Sequence, residues 1–236
     1  VTISGEDSIL ASSGDLIIGA HGTASILVSE EGTLSNVDGS LGASATGQGT
    51  ALVTGEGSTW TNTGKLVVGL EGSGELTISE GGAVVSDGGE ISRDSSAQGQ
   101  VVVMGADSSW TNTGGLVVAV EGEGSLTVFA GSTVSNTTGV LGLEAGSSGL
   151  VNIAGKDAVW ANTDLAVGGS GTGRLNIKDG AEVTSTGTQV GLMAGSEGII
   201  EVVQTDSALI SSGQLQVGVA GEGTLDISAG GSVQNT

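Results

Sequence analysis

Gly55-Glu56-Gly57-Ser58-Thr59-Trp60-Thr61-Asn62-Thr63-Gly64-Lys65-Leu66-Val67-Val68-Gly69 decides the fold, because the chain repeats it. The stretch returns from Gly105 to Val118, with Trp110 and Asn112, and from Gly155 to Gly168, with Trp160 and Asn162. Weaker copies run from Asp7 to Gly19 and from Asp206 to Gly218, with Leu10 and Leu209 in place of Trp. The period is about fifty residues, which is the signature of stacked units rather than of one globule. Each unit divides again. An apolar-x-apolar step at Ala51/Val53 and Val101/Val103 recurs midway as Leu76/Ile78 and Leu126/Val128. The underlying repeat is therefore about 24–25 residues, and the chain holds roughly ten copies.

Each copy contains three short runs in which apolar and small polar residues alternate, the pattern of strands with one buried face. Gly, Ser, Asp and Asn clusters separate the runs, as turns require. No stretch keeps a helical period. Three strands and three turns per copy predict an all-β right-handed parallel β-helix of about ten coils, a single solenoid over residues 1–236. With coils about 4.8 Å apart, the rod is expected to be roughly 45 Å long. The first residues already stand in strand register, and we expect a segment of a longer chain, without end caps and without a translocator barrel of its own.

Composition agrees with a solenoid. Gly accounts for 46 residues, aromatics for 2%, and Pro, Cys and Tyr are absent. Val, Leu, Ile and Ala supply almost all apolar surface, and these types stack well on a pleated sheet. A disordered chain would be poor in them. Five basic against 26 acidic residues leave a formal charge of −21. That excludes a phosphate-backbone binder as a leading idea and disfavours contact with anionic membranes. Without Cys there is no disulfide and no thiol chemistry. No apolar run reaches the roughly twenty residues of a membrane helix, and no signal peptide is expected among these residues.

The repeat assigns interior roles. Trp60, Trp110 and Trp160 fall on alternate coils, with Val84, Val134 and Val183 between them. They are expected to be structural core, each indole spreading over the space a neighbouring Val leaves. Two residues further on stands a polar column containing Asn36, Asn62, Asn112, Asn136, Asn162 and Asn235, with Ser in the remaining coils. Its parity points inward, and buried amides need partners. We expect a continuous Asn/Ser ladder that fixes register.

The block Gly-x-Gly-Ser-x-Trp-x-Asn-x-Gly-x-Leu-x-Val-Gly, followed by Leu-Thr-Ile-Ser-x-Gly-Gly-x-Val, resembles the repeat of type V secretion (autotransporter) passengers and of PEP-CTERM-associated surface proteins. Gly55 to Val84 is the best copy, Gly105 to Val134 and Gly155 to Val183 are close, and the outer copies depart by losing Trp. The resemblance covers essentially the whole chain and is specific for architecture more than for function. It implies export to the bacterial cell surface or beyond, anchorage in the outer membrane through a C-terminal barrel, and roles in adhesion, aggregation, biofilm or virulence.

Candidate chemistry is thin beside this. Asp7, Asp107, Asp157 and Asp206 share a register with Gly57, about 10 Å apart on alternate coils, too far to ligate one cation together. They read as turn acids, and neither a Gly-Gly-x-Gly-x-Asp calcium repeat nor an EF-hand loop occurs. His21 stands alone and reads as a turn residue. Gly168-Gly169-Ser170-Gly171-Thr172-Gly173 lacks the Lys and the helix of a phosphate loop. The serines have no triad partners. No catalytic residue, metal site or cofactor is assigned. Third-strand residues Ile17, Gly42, Val67, Ser92, Val117, Gly142, Ala166, Gly191 and Gln216 are read as one outward column. Its apolar members Ile17, Val67, Val117 and Ala166 form a candidate contact strip, shielding by loops being the plainer account. Arg93 is expected to bulge out where Leu143 and Leu192 point inward, since an unpaired buried Arg is too costly.

The functional expectation is a non-enzymatic surface or secreted passenger segment acting in adhesion or self-association. The expected partners are further copies of itself or host glycans and proteins, with no nucleic acid and no membrane insertion. A passive stalk presenting another domain is the alternative, and a polysaccharide lyase or hydrolase a lesser one.

Overall fold

A computed structural model describes residues 1–236 as a parallel β-helix. All 27 strands pair in parallel, each with its equivalent one coil away. The first strands of the coils form a ten-stranded sheet, and the second and third strands together form a 17-stranded one. Register runs Ile3–Val28–Val53–Ile78–Val103–Val128–Ile153–Ile177–Val202–Ile227 along the first sheet. Along the second strand it runs Leu10–Leu34–Trp60–Val84–Trp110–Val134–Trp160–Val183–Leu209–Val233. The repeat positions quoted above for these two runs are the columns that stack. Coil 2 begins at Thr23, coil 3 at Gln48, coil 4 at Ser73, coil 5 at Gln98, coil 6 at Glu123, coil 7 at Ser148 and coil 8 at Thr172.

The interior is one apolar cluster of 38 buried residues running from Ile3 to Leu209. Burial alternates along each strand, as in Gln48–Thr54, because successive side chains leave opposite faces. Hydrogen bonds that a globule closes within an element are closed here between coils, so each coil depends on its neighbours.

The third strand departs from the expected alignment. Its inner columns are Leu16–Gly39–Leu66–Gly89–Leu116–Gly139–Leu165–Thr188–Leu215 and Ile18–Leu41–Val68–Ile91–Val118–Leu141–Val167–Val190–Val217. Leu143 and Leu192 lie beyond it, in the turn, half-exposed like Arg93. The three amides make the same bond, Leu143 to Ala119 O, Leu192 to Gly168 O and Arg93 to Gly69 O, at 2.9 Å. The expected local bulge at Arg93 is thus the common turn of the even coils. The cause is turn length. From Val53 to Trp60 is seven residues but from Ile78 to Val84 six, from Trp60 to Val68 eight but from Val84 to Ile91 seven, and from Val68 to Gly74 six but from Ile91 to Gly99 eight. Long and short turns alternate, so coils of equal total length are out of step at the third strand.

Candidate functional site

The motif residues lie in the interior. Trp60, Trp110 and Trp160 are fully buried. The indole Nε1 of Trp60 donates to Asn36 Oδ1 at 2.7 Å, and Asn36 Nδ2 donates to Asn62 Oδ1 at 2.8 Å. Trp160, Asn136 and Asn162 repeat this at 2.8 and 2.7 Å. In the middle unit Ser86 does the work of an Asn. It accepts from Trp110 Nε1 at 3.1 Å and donates to Asn112 Oδ1 at 2.8 Å. Each Trp coil is therefore locked to the coil before it.

The ladder expected to be continuous is interrupted after every such pair. Asn62 Nδ2 and Asn112 Nδ2 are buried without an acceptor, and Asn162 Nδ2 reaches only Thr184 O at 3.5 Å. Asn235 is exposed in the last coil and donates to Ser211 O at 3.2 Å. One amide spans one coil spacing. Where the indole takes the carbonyl oxygen of the preceding Asn, the chain of amides closes on itself and stops. Space for the indole comes also from the third strand of the preceding coil, beside the Val of its own column. A Cβ on Gly39 would stand 3.1 Å from Trp60 Cζ2, on Gly89 2.7 Å from Trp110 Cζ2, and on Gly139 2.9 Å from Trp160 Cζ2. In the next pair of coils both members change. Leu209 replaces Trp, and Thr188 replaces Gly, bonding Ser185 through its hydroxyl at 2.6 Å. Thr188 was invisible to the motif because the motif begins after it.

The candidate contact strip is not one exposed face. Ile17, in the first coil, is 55% exposed, but Val67 is 5% and Ala166 9% exposed, and Val117 is half-buried. The true outward column alternates these residues with Ser40, Glu90, Val140 and Gln189, replacing Gly42, Ser92, Gly142 and Gly191. Glu90 stands between Val67 and Val117 and binds Lys65 Nζ at 2.6 Å and Arg93 Nε. Burial pushes the Glu90 carboxyl up, but the hydrogen bonds and charges of Arg93 and Lys65 outweigh it and hold it below its ordinary value.

Outward chemistry elsewhere is polar. A shallow groove of about 490 Å³ runs along the first-strand sheet, between side chains such as Glu75, Gln98, Gln100 and Glu123. The turn acids take the conformation their column needs. Asp7, Asp107, Asp157 and Asp206 have φ between 63° and 69°, and Gly57 has φ 78°. Asp tolerates this left-handed region through local hydrogen bonding, and Gly has no Cβ to clash. His21 sits in an exposed turn with its Nδ1 3.0 Å from Ser44 Oγ. No three His, Cys, Asp or Glu residues gather at metal-binding spacing, and no helix is long and apolar enough to cross a membrane.

No protein-family model matches the chain, and no curated protein matches it. Among solved structures, the crystal structure of the TibC-catalyzed hyper-glycosylated TibA55-350 fragment aligns over 99% of this chain and 100% of that one, at 13% identity and a TM-score of 0.27.

Proposed function

We propose that this chain is a non-catalytic rod of a bacterial surface or secreted protein, working by adhesion or self-association. The observation that carries the reading is the division of labour between inside and outside. The motif residues Trp60, Asn62 and their equivalents are consumed in packing and register. What is left to meet a partner is a long lateral surface of stacked columns, repeated roughly every 4.8 Å. Solenoids present such extended surfaces, and many weak contacts along one surface add up through effective concentration. The expected partners are a second copy of the chain or host surface glycans and proteins, outside the cell.

A passive stalk is the second reading. The unbroken core cluster favours it, because a continuous core makes a stiff spacer. Beads coated with the chain decide between them. An adhesive rod clusters beads or fixes them to cells or matrix, whereas failure at high coating density, with the fold intact, leaves the stalk. Release of sugar fragments from polysaccharides by the purified chain would instead indicate an enzyme.

A further inference from the structure

One hollow in the lateral surface belongs neither to the core nor to the register. It lies over the third strands of coils 6 to 9 and has a volume of about 460 Å³. Small residues make it. Ala166 stands between Val140 and Gln189 in the outward column, and Gly187 and Gly213 add no side chain beside it. Val140, Ala166 and Leu192 form an apolar floor. Thr138, Thr186, Gln189 and Gln214 surround it with hydroxyls and amides.

The one charge in the hollow is Asp164, and it is free. Asp164 belongs to the corner column that begins with Asp15 and Asp38, one residue before the third-strand column of Leu16, Gly39 and Leu66. At the start of that column the next coil supplies a donor. The Asp38 amide reaches Asp15 Oδ1 at 3.2 Å, and the Lys65 amide reaches Asp38 Oδ1 at 2.7 Å. The Asp164 carboxylate receives no hydrogen bond from the protein and joins no ion pair. Opposite it in the next coil is Gly187, where a Cβ would stand 3.0 Å from Asp164 Oδ1. The carboxylate therefore leans over Gly187, into space that a larger residue would occupy. The other polar groups also have capacity left. Gln189 Nε2 donates to Gln216 Oε1 at 3.0 Å, which leaves the Gln189 side-chain oxygen free. The side chains of Thr138, Thr186 and Gln214 make no hydrogen bond within the protein.

We infer that this hollow binds an amino sugar whose amine is unacylated, as one unit of a polysaccharide. The inference rests on the adhesive reading above and names its ligand. Ligand sites join an apolar lining to a few placed polar groups, and a sugar ring has a matching form, an apolar C–H face with hydroxyls around it. The C–H face lies on Val140, Ala166 and Leu192, and the ring hydroxyls meet the amides of Gln189 and Gln214 and the threonine hydroxyls. The ammonium group sits at Asp164. No Lys or Arg lines the hollow, and a net charge of −21 draws cations to the rod. An acidic sugar meets repulsion from both. A lysine side chain satisfies the carboxylate but offers nothing to the amides and hydroxyls around it. One charge-assisted bond in a shallow site binds weakly. Repetition of the sugar along a polymer, and of the rod over a surface, raises the overall strength.

Titration of the whole chain with glucosamine, followed by nuclear magnetic resonance in a buffer that keeps the amine protonated, tests it. The side-chain amide signals of Gln189 and Gln214 should shift. Glucose and N-acetylglucosamine, which lack the ammonium group, should bind at least about tenfold more weakly, the loss of one hydrogen bond between charged groups. Butylamine, standing for a lysine stem, should also bind more weakly than glucosamine. Asp164→Asn should weaken glucosamine binding by a similar factor. Ala166→Gln fills the floor and keeps the charge, and it should weaken binding too. Asp179→Asn removes an acid from a turn outside the hollow and should change nothing. Both altered positions in the hollow face outward, and an unchanged thermal transition confirms the fold of each variant. Glucosamine that shifts neither amide overturns the inference. So does binding that survives Asp164→Asn or Ala166→Gln, falls equally with Asp179→Asn, or is matched by N-acetylglucosamine or butylamine. Coated beads that hold to cells or matrix regardless of Asp164→Asn refute this site and leave the adhesive reading standing. Glucosamine binding that obeys Asp164→Asn, without adhesion to any surface, does the reverse.

Discussion

At the scale of single residues, the informative atoms are hydrogen-bonding groups enclosed in an apolar stack. Ser86 is the clearest case, since its one hydroxyl serves both Trp110 and Asn112. Ser86→Ala should lower stability by about 1–3 kcal/mol in chemical denaturation, the penalty for orphaned buried polar groups. Trp60→Ala should lower it by about 3–5 kcal/mol, because a cavity opens as well. Glu90 makes a pH-dependent contribution of definite sign. Its carboxyl is held below the ordinary glutamate value of 4.5. Its stabilisation is therefore fully present above that value and lost as pH falls through the lowered folded-state value. Comparing the unaltered chain with Glu90→Gln between pH 7 and pH 3 should show a stability difference that shrinks on acidification. A constant difference would mean that the ion pairs with Lys65 and Arg93 add nothing.

At the scale of elements, the unit of construction is a pair of coils, not one. Coils 2 and 3, 4 and 5, and 6 and 7 are each closed by an indole and a polar pair. Between the pairs, the side-chain amides of the inner column find no acceptor or a distant one. Volume is balanced within the pair. Trp requires Gly in the third strand of the preceding coil, whereas Leu209 coexists with Thr188. Leu209→Trp alone should therefore destabilise by about 1–3 kcal/mol through overpacking. Leu209→Trp combined with Thr188→Gly should recover part of that loss, with a coupling of about 0.5–3 kcal/mol in a double-mutant cycle. Additive effects would show that the two sites do not share the space. The same alternation sets the turns, whose lengths oscillate from coil to coil and bring the third strands into register only after two coils.

At the scale of the whole molecule, the rod joins an interior with no chemistry to offer to a surface of accumulated acid. Net charge of −21 keeps such an elongated body apart from its copies. Five basic residues are too few to offset that field, and three of them are already tied to Glu90 and Glu201. Raising salt from about 0.05 to 0.5 M, which shortens the screening length from above to below about 10 Å, should therefore strengthen any association of the chain with itself in sedimentation, and a weakening would show that attraction between opposite charges holds the copies together.

How much of this was legible beforehand follows from what a repeat records. Alternation and a period of about 25 residues sufficed for the coil, the strand count and the inner columns of the first and second strands, because those depend only on which face each residue takes. Trp60 and Asn62 were readable as interior for the same reason. The third strand was not. Its register depends on the lengths of the turns around it, and offsets that cancel over a full coil leave no trace in the overall period. Hence Leu143 and Leu192 read as inward, and Gly42, Ser92, Gly142 and Gly191 read as outward where the structure has Ser40, Glu90, Val140 and Gln189. The bond from Trp60 to Asn36 and the fit of Gly39 against the indole join residues about 20 to 25 positions apart. Sequence alone determined the coil and its inward face. Only stacking in three dimensions decided which atoms of neighbouring coils meet, and thereby where the ladder breaks.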